Sequence, residues 1–197
     1  MSPNIYAYKL MTDNGGAPCV WRGLLSLAIC KPTIRKVAKI ESLIFGFGAK
    51  HYGERLIYAA KVTEKLEFGD YYRRPKYVKR PDCIYRDISG QPQRKQNARY
   101  HNQSDERKKD VGLNFQNASV LLSGDFRYFG KNGTDDYKRK FPAIKKMVEA
   151  LKRGHRVNLS AELHKEFISL KKQLWQKHSR KVLGSPSDSN YTRACNR

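Results

Sequence analysis

Residues 43–66 read LIFGFGAKHYGERLIYAAKVTEKL and contain the clearest pattern of secondary structure in this chain. The first six alternate bulky residues with glycine, a pattern typical of a buried strand that another backbone approaches closely. Residues 55–66 are rich in aliphatic and β-branched side chains and form the best strand pattern in the sequence. Only a short segment containing Gly53 separates the two runs, so this stretch predicts a β-hairpin.

Further elements extend from this hairpin in both directions. The aromatic-rich residues 5–10 and the apolar residues 118–123 each predict a strand. Residues 87–102 are polar and show no periodicity, which indicates a long surface loop.

The C-terminal part is predicted to be helical. Pro142 suits the first turn of a helix, and Gly154 suits its end. A second helix begins near residues 158–160, and its apolar stripe consists of Leu163, Phe167, Leu170 and Leu174. We therefore predict an α+β fold: a compact, strongly bent β-barrel of five to seven strands with short helices, followed by a basic C-terminal helical pair.

The composition excludes two broad classes of protein. The chain has 197 residues, of which 39% are hydrophobic and 11% are aromatic, so it has enough apolar bulk to form a core and is not disordered as a whole. Its longest largely apolar run, residues 24–30, is far shorter than the ~20 residues that span a bilayer. The N-terminus lacks a signal-peptide pattern, and the four cysteines include no C-x-x-C pair. These features predict a reduced, cytoplasmic protein, and they predict no metal site.

Positive charge is the dominant feature of the chain. Lys and Arg number 40 against 18 Asp and Glu, which gives a net charge of +22. The excess is concentrated in residues 71–110 and 131–181, and such a surplus predicts a polyanionic partner held through its phosphates. DNA is the favoured partner, RNA is an alternative, and an anionic membrane surface is the weaker rival. The predicted phosphate contacts, which are interleaved with tyrosines, are Arg73, Arg74, Lys76, Lys79 and Arg80.

Motifs for catalysis are sparse. The phosphate-loop pattern is absent, and the glycines of residues 46–53 lack the spacing of a dinucleotide fingerprint. No zincin, serine hydrolase or zinc deaminase pattern occurs, and no cofactor is predicted. If the protein is an enzyme, the candidate catalytic residues are Asp125, which follows a buried strand among aromatics, and His155, which follows the predicted helix. A turn-forming aspartate and a solvent-facing histidine are the plainer alternatives.

Several segments of the chain, in order, resemble the nucleotide modification associated domain family, specifically its second type. They include residues 13–18 (DNGGAP), 23–38 with the block Cys30-Lys-Pro-x-x-Arg35, 42–64, 121–130 with Tyr-Phe-Gly, and 153–156 (RGHR). The resemblance spans residues 4–156. It departs at Glu41-Ser42, where the family usually has Gly-Asp, and at Gly124-Asp125, where a histidine is common.

The resemblance implies a role around modified DNA bases or nucleotides, as found in phages and in bacterial defence loci. The order of elements is also similar to that of the small PUA-like and EVE-type barrels that read flipped bases, which is an analogy of fold. On this basis we expect a barrel domain over residues 4–156, a basic helix over 157–183 and a disordered tail over 184–197. The expected base-binding residues are Cys30, Lys31, Arg35, Gly46, Gly48, Tyr128 and Phe129.

Three functional hypotheses follow. The leading one is a nucleic-acid-binding module that grips phosphates and reads or positions a base, including one flipped out of a duplex, in an aromatic pocket. The second is an enzyme acting on a nucleotide or DNA base, with Asp125, His155 and Lys31 as its reactive groups. The third is a structural protein that binds DNA or RNA by charge alone. The sequence leaves the base, the substrate and the oligomeric state open.

Overall fold

A computed structural model describes residues 2–101, 104–152 and 154–190 of the chain. The strands are β1 Ile5–Leu10, β2 Cys19–Trp21, β3 Leu24–Leu27, β4 Leu43–Gly48, β5 Leu56–Lys61, β6 Glu64–Leu66, β7 Tyr85–Ile88, β8 Gln91–Arg94, β9 Val120–Ser123, β10 Asp125–Tyr128 and β11 His155–Arg156. The helices are α1 Pro32–Val37, α2 Asp70–Arg73, α3 Pro75–Val78, α4 Ser104–Asp110, α5 Tyr137–Lys140, α6 Pro142–Ala150 and α7 Ala161–Lys177. Short 3-10 turns cover Lys50–Tyr52, Leu113–Phe115 and Gly130–Asn132.

The strands form three separate sheets. A five-stranded sheet has the order β10-β5-β4-β1-β11, a four-stranded sheet has the order β2-β3-β9-β6, and β7 pairs with β8. The α+β class is therefore confirmed. The predicted closed barrel is wrong for the described residues, because these strands pair within distinct sheets whose edges do not join. A PUA-like fold is not confirmed.

The five-stranded sheet is apolar on both faces, which explains the continuous hydrophobic runs in β1 and β4. Its centre is the parallel pair of β1 with β4, in which Ile5 lies opposite Leu43 and Leu10 opposite Gly48. One face packs on the four-stranded sheet, and the other packs on α5, α6 and α7 around Phe45 and Phe167. Two hydrophobic cores result, one on each side of this sheet.

The predicted hairpin of residues 43–66 is present as β4 and β5. The two strands are antiparallel, with a register irregularity between Gly46 and Phe47. Gly46 is required here for space, because a Cβ at this position would lie 2.3 Å from Cε1 of Tyr58. The predicted strand of residues 55–66 is divided in two. Its first part is β5, whereas its last part, β6, belongs to the four-stranded sheet and pairs with β9.

The C-terminal helices are confirmed at the predicted positions. Pro142 occupies the first turn of α6, and the hydroxyl of Ser160 accepts a hydrogen bond from the Leu163 amide at the start of α7. The Glu166 carboxylate of α7 accepts bonds from the amides of Ala143 and Ile144, so it caps α6. No helix in the described ranges is both long and apolar enough to cross a membrane.

Two segments contain more structure than the predicted surface loop of residues 87–102 and the predicted disordered tail of residues 184–197. Residues 87–102 contain the β7–β8 hairpin, whose turn residues Ser89 and Gly90 have positive φ values of 51° and 80°, as tight hairpins require. Residues 184–190 are also held in place, because the Asp188 amide donates to the Asp13 carbonyl at 2.8 Å and Ser185 accepts from the Lys131 amide. The rest of the predicted tail, residues 191–197, lies outside the described residues.

Candidate functional site

The chain bends sharply at Cys30 and Lys31, directly before α1. Both residues adopt left-handed backbone conformations, with φ values of 58° and 45°. Non-glycine residues rarely adopt this conformation, and it concentrates at functional sites. Cys30 is buried, whereas Lys31 is half-buried and its ammonium lies 4.7 Å from the ring centre of Tyr8.

Cys30, His101 and Asp110 form a linear set of contacts. Nε2 of His101 lies 3.3 Å from Sγ of Cys30, and Nδ1 of the same ring contacts Oδ2 of Asp110. All three side chains are buried. Nδ1 must donate to the carboxylate, which leaves Nε2 facing the sulfur. The structure records Cys30 in a disulfide bond, so the expectation of a reduced thiol is wrong at this position.

Arg35 is fully buried and fixes the same set of residues from α1. Its guanidinium donates to the carbonyls of Cys30 at 2.7 Å and Ser119 at 2.6 Å, and it forms an ion pair with Asp110 at 3.4 Å. The expected contact of Arg35 with a base or phosphate is therefore wrong, because its donors are directed at protein acceptors. Tyr85 completes the network by donating to Oδ2 of Asp110 at 3.0 Å.

A second polar cluster surrounds the carboxylate of Asp13. This side chain accepts hydrogen bonds from the Tyr128 hydroxyl at 2.8 Å and from the Ser187 amide at 3.2 Å. The Asp13 amide donates to Asp188, whose carboxylate also contacts the Tyr52 hydroxyl. Burial raises the pKa of Asp13 to about 6, and the charge of Asp188 acts in the same direction. Asp13 can therefore exchange a proton near neutral pH.

Residues 100–101 link the two clusters. The Tyr100 hydroxyl donates to the carbonyl of Asn14 at 3.2 Å, and the next residue is His101. The side chain of Asn14 is 3% exposed, and its Nδ2 atom has no hydrogen-bond partner among the residues that the structure describes. A buried unsatisfied donor is unusual in a folded protein and indicates a place where a ligand acceptor or a water molecule would be favourable.

The remaining expected base-binding residues serve the core. Gly46 and Gly48 lie against the side chains of Tyr58 and Tyr52, so these glycines allow close packing rather than approach of a nucleotide. Tyr128 is buried in the first core and held by Asp13. Phe129 is buried in the second core. Neither ring is available for base stacking, which corrects that expectation.

Asp125 and His155 do not form a catalytic pair. They lie in β10 and β11, the two edge strands of the five-stranded sheet, which four inter-strand spacings, roughly 19 Å, separate. The Asp125 carboxylate accepts a bond from the Trp175 indole, which links β10 to α7.

A groove of about 610 Å³ opens beside the four-stranded sheet, and we call it the Trp21 groove. Its lining residues are Trp21, Arg22, Leu24, Glu64, Pro75, Lys76, Tyr77, Lys79 and Arg80. The exposed Arg22 stacks on Trp21, with its guanidinium carbon 4.4 Å from the ring centre. Lys76 and Lys79 are exposed at the rim. Trp21 and Arg22 were not predicted, although the sequence Trp-Arg-Gly before an apolar run was a usable signal.

The other predicted phosphate contacts, all arginines, differ in exposure and in the protein groups that they already bind. Arg73 is exposed but forms an ion pair with Asp87. Arg74 pairs with both Glu64 and Asp70. Arg80 is buried, and its guanidinium donates to the carbonyls of Trp21, Cys19 and Leu24, so a phosphate contact by Arg80 is wrong.

Sequence reasoning also missed Asp13 and Asp110, and it favoured His155 over His101 as a site residue. His101 and Asp110 lie in or beside a segment that reads as polar loop, and only the fold brings them to Cys30. In the part of the chain that the structure describes, no group of three or more histidine, cysteine or acidic residues is arranged to hold a metal ion.

Comparison with known proteins gives one match. A family model described as nucleotide modification associated domain 2 matches residues 2–193. The chain therefore belongs to this family, and the match includes α7, which the resemblance of residues 4–156 had left out. The family name associates the chain with nucleotide modification. No curated protein and no solved structure matches it.

Proposed function

We propose that this member of the nucleotide modification associated domain 2 family binds nucleic acid in the Trp21 groove and thereby positions a nucleotide for modification. The observation that carries the proposal is a groove that combines a half-buried indole ring with exposed basic side chains. DNA is the favoured substrate and RNA is the alternative. The binding experiments below compare the two.

The groove has the two features that unpaired nucleic acid requires. An aromatic ring supplies a surface on which a base stacks, and basic side chains follow the backbone phosphates. Trp21 supplies the ring, and Lys76 and Lys79 supply charge at the rim. The planar guanidinium of Arg22 already stacks on the indole ring of Trp21. A nucleobase, which is also planar, would take the place of this guanidinium on the indole.

The charge of the whole chain supports the same function. A net charge of +22 raises the local concentration of polyanions and speeds their association. The acidic Glu64 in the groove does not oppose this strongly, because it pairs with Arg74 and accepts a bond from the Tyr77 hydroxyl. Lys76 and Lys79 form no ion pair within the described residues, and they are therefore the side chains best placed to contact phosphate.

The first test removes charge from the groove. Each phosphate contact on a single strand contributes about 0.7 to the slope of log affinity against log salt, so Lys76→Ala with Lys79→Ala lowers the slope by about 1.4. The affinity at 0.1 M salt then falls roughly 25-fold in a fluorescence anisotropy titration. The matched control is Lys50→Ala with Lys131→Ala, two exposed lysines outside the groove. Equal losses in both variants would refute the groove as the binding site.

The second test addresses the base. Alanine substitution of a stacking aromatic typically costs 1–3 kcal/mol per base, so Trp21→Ala weakens single-strand binding by roughly 5- to 150-fold. Titrations compare oligonucleotides with cytosine and with 5-hydroxymethylcytosine, and DNA with RNA of the same sequence. If the Trp21→Ala variant binds with full affinity and shows no preference among bases at any salt concentration, base stacking is not part of the function. The protein would then bind nucleic acid by charge alone.

A further inference from the structure

We propose that a second pocket binds the nucleotide next to the one held at Trp21, so that two neighbouring nucleotides of one DNA strand occupy the two sides of residues 75–81. The pocket has a volume of about 250 Å³ and lies between the segments 78–84 and 95–99. We call it the Lys95 pocket. The choice of a DNA strand as its occupant rests on the proposed function.

The walls of the Lys95 pocket are two hydrogen-bonded segments of the chain. The Cys83 amide donates to the Arg80 carbonyl at 3.1 Å and closes a turn in the first segment. Lys95 joins the second segment to the first, because its amide donates to the Ile84 carbonyl at 2.8 Å and its ammonium donates to the Val78 carbonyl at 2.9 Å. The pocket is therefore formed before a ligand arrives, as most small-molecule sites are.

The interior of the pocket suits a planar ring with little charge. Val78, Ile84 and Ala98 supply aliphatic lining. Burial raises the pKa of the Cys83 thiol to about 11, so this group is neutral at pH 7 and behaves as a small apolar side chain. Pockets for drug-sized ligands have volumes of roughly 300–1,000 Å³. The smaller volume of the Lys95 pocket therefore favours a single nucleobase over a larger cofactor.

Two cations accompany this apolar lining. The Lys95 ammonium has three hydrogens, of which one is bonded to the Val78 carbonyl and one faces the Cys83 sulfur at 3.5 Å. The third can bind a phosphate oxygen. Arg99 is exposed, its guanidinium carbon lies 5.6 Å from the Tyr100 ring centre, and it forms no ion pair within the described ranges. A nucleotide would use both the lining and the cations, whereas a neutral apolar ligand would use only the lining.

The Lys95 pocket adjoins the Trp21 groove. Lys79 lines the groove, Pro81 lines the pocket, and Arg80 between them lines both. Consecutive Cα atoms are about 3.8 Å apart, so those of Lys79 and Pro81 are at most about 7.6 Å apart. Arg80 is buried and donates to the carbonyls of Trp21 and Cys19, which holds this dividing wall in place. The short separation favours neighbouring nucleotides of one strand over two independent ligands.

The first experiment truncates the apolar lining. Binding of a single-stranded DNA of about eight nucleotides is measured by fluorescence anisotropy. Val78→Ala removes two methyl groups from the pocket, and we expect roughly tenfold weaker binding. The matched control is Val37→Ala, which truncates another exposed valine at the last position of a short helix and outside both cavities. Equal affinities of the two variants, both shown to be folded by their unfolding midpoints, would overturn the pocket.

The second experiment removes a cation from the pocket. Each phosphate contact on a single strand contributes about 0.7 to the slope of log affinity against log salt, so we expect Arg99→Ala to lower that slope by about 0.7. Lys50→Ala, at an exposed position outside both cavities, is the control and leaves the slope unchanged. A slope in Arg99→Ala equal to that of the wild type would overturn the phosphate contact.

The third experiment locates the strand on the protein. A DNA strand with two adjacent 5-iodouracil bases is irradiated in complex with the whole protein, and the linked peptides are identified by mass spectrometry. We expect single strands that are linked both to a peptide containing Trp21 and to a peptide from residues 81–84 or 95–99. Links at the Trp21 groove without any at residues 81–84 or 95–99 would overturn the second pocket.

The variants separate this inference from the proposed function. Full-strength binding by Val78→Ala together with weak binding by Trp21→Ala overturns the Lys95 pocket and leaves the Trp21 groove intact. Weak binding by Val78→Ala together with full-strength binding by Trp21→Ala supports the pocket and overturns the groove. A wild-type protein that binds no single-stranded DNA overturns both.

Discussion

The protonation of Asp13 gives a direct measurement of the buried polar cluster. The perturbation is Asp13→Asn, which removes the titration but keeps an oxygen that accepts from the Tyr128 hydroxyl. Asp13 is 1% exposed in the wild type, and its carboxylate accepts one hydrogen bond from the Tyr128 hydroxyl and one from the Ser187 amide. These two bonds only partly offset the loss of hydration. Its charged form is therefore disfavoured in the folded protein.

The magnitude follows from the shift in pKa. Burial raises the Asp13 pKa from 3.8 to about 6, and one unit corresponds to about 1.4 kcal/mol. Because the folded pKa lies above the unfolded pKa, the stability due to protonation is complete below pH 3.8. It is lost as the pH rises through about 6. We expect the wild type to lose about 3 kcal/mol relative to Asp13→Asn across this window, most of it between pH 4 and 6.

The assay is urea unfolding of both proteins at intervals from pH 4 to 7.5. The asparagine also alters a hydrogen bond, which changes the unfolding free energy by the same amount at every pH. The informative quantity is therefore how the difference in unfolding free energy between wild type and Asp13→Asn varies with pH. Asp135→Asn, at an exposed position, controls for the lost charge. A wild-type minus Asp13→Asn difference in unfolding free energy that is flat with pH, or that rises with pH, would show that the Asp13 pKa is not raised in the folded protein.

Two further predictions concern residues assigned here to structure. Arg35→Lys keeps the charge but loses the fork that binds the carbonyls of Cys30 and Ser119, and we expect a loss of about 3 kcal/mol in urea unfolding. Exposed Arg22→Lys is its control, and equal stability of the two variants would show that the network is not needed. Gly46→Ala places a methyl group 2.3 Å from Tyr58 Cε1 and should cost about 1–3 kcal/mol, whereas Gly124→Ala, with its nearest atom 4.0 Å away, should not. An unaffected unfolding midpoint in Gly46→Ala would contradict the packing role.

The main local elements were predictable, because their patterns repeat over several residues. The apolar run of β1, the hairpin of β4 and β5, and the stripe of α7 are each visible in a short window of sequence. The sheet order was not predictable in the same way. The parallel pairing of β1 with β4 and the pairing of β3 with β9 join segments far apart in the chain, and many alternative pairings satisfy the same local patterns.

The residues of the candidate site also show that local sequence patterns do not contain the tertiary contacts. The sequence neighbours of Asp125 and His155 indicate a catalytic role, but the topology places these residues on opposite edges of one sheet. Arg35 and Arg80 resemble phosphate contacts in sequence, yet both are buried against backbone carbonyls. Burial depends on what packs around a residue, and a local window of sequence does not contain that information.

The secondary elements of the core, the excess positive charge and the family resemblance are visible in the sequence, because each depends on residues close together in the chain or on composition. The contacts among Cys30, His101 and Asp110, and the position of Trp21 beside Lys76 and Lys79, depend on the tertiary structure. Cys30 and His101 are 71 residues apart in sequence. Contacts over such separations arise when the burial of apolar strands fixes how distant segments pack, and the polar residues between those strands are carried to one place as a result.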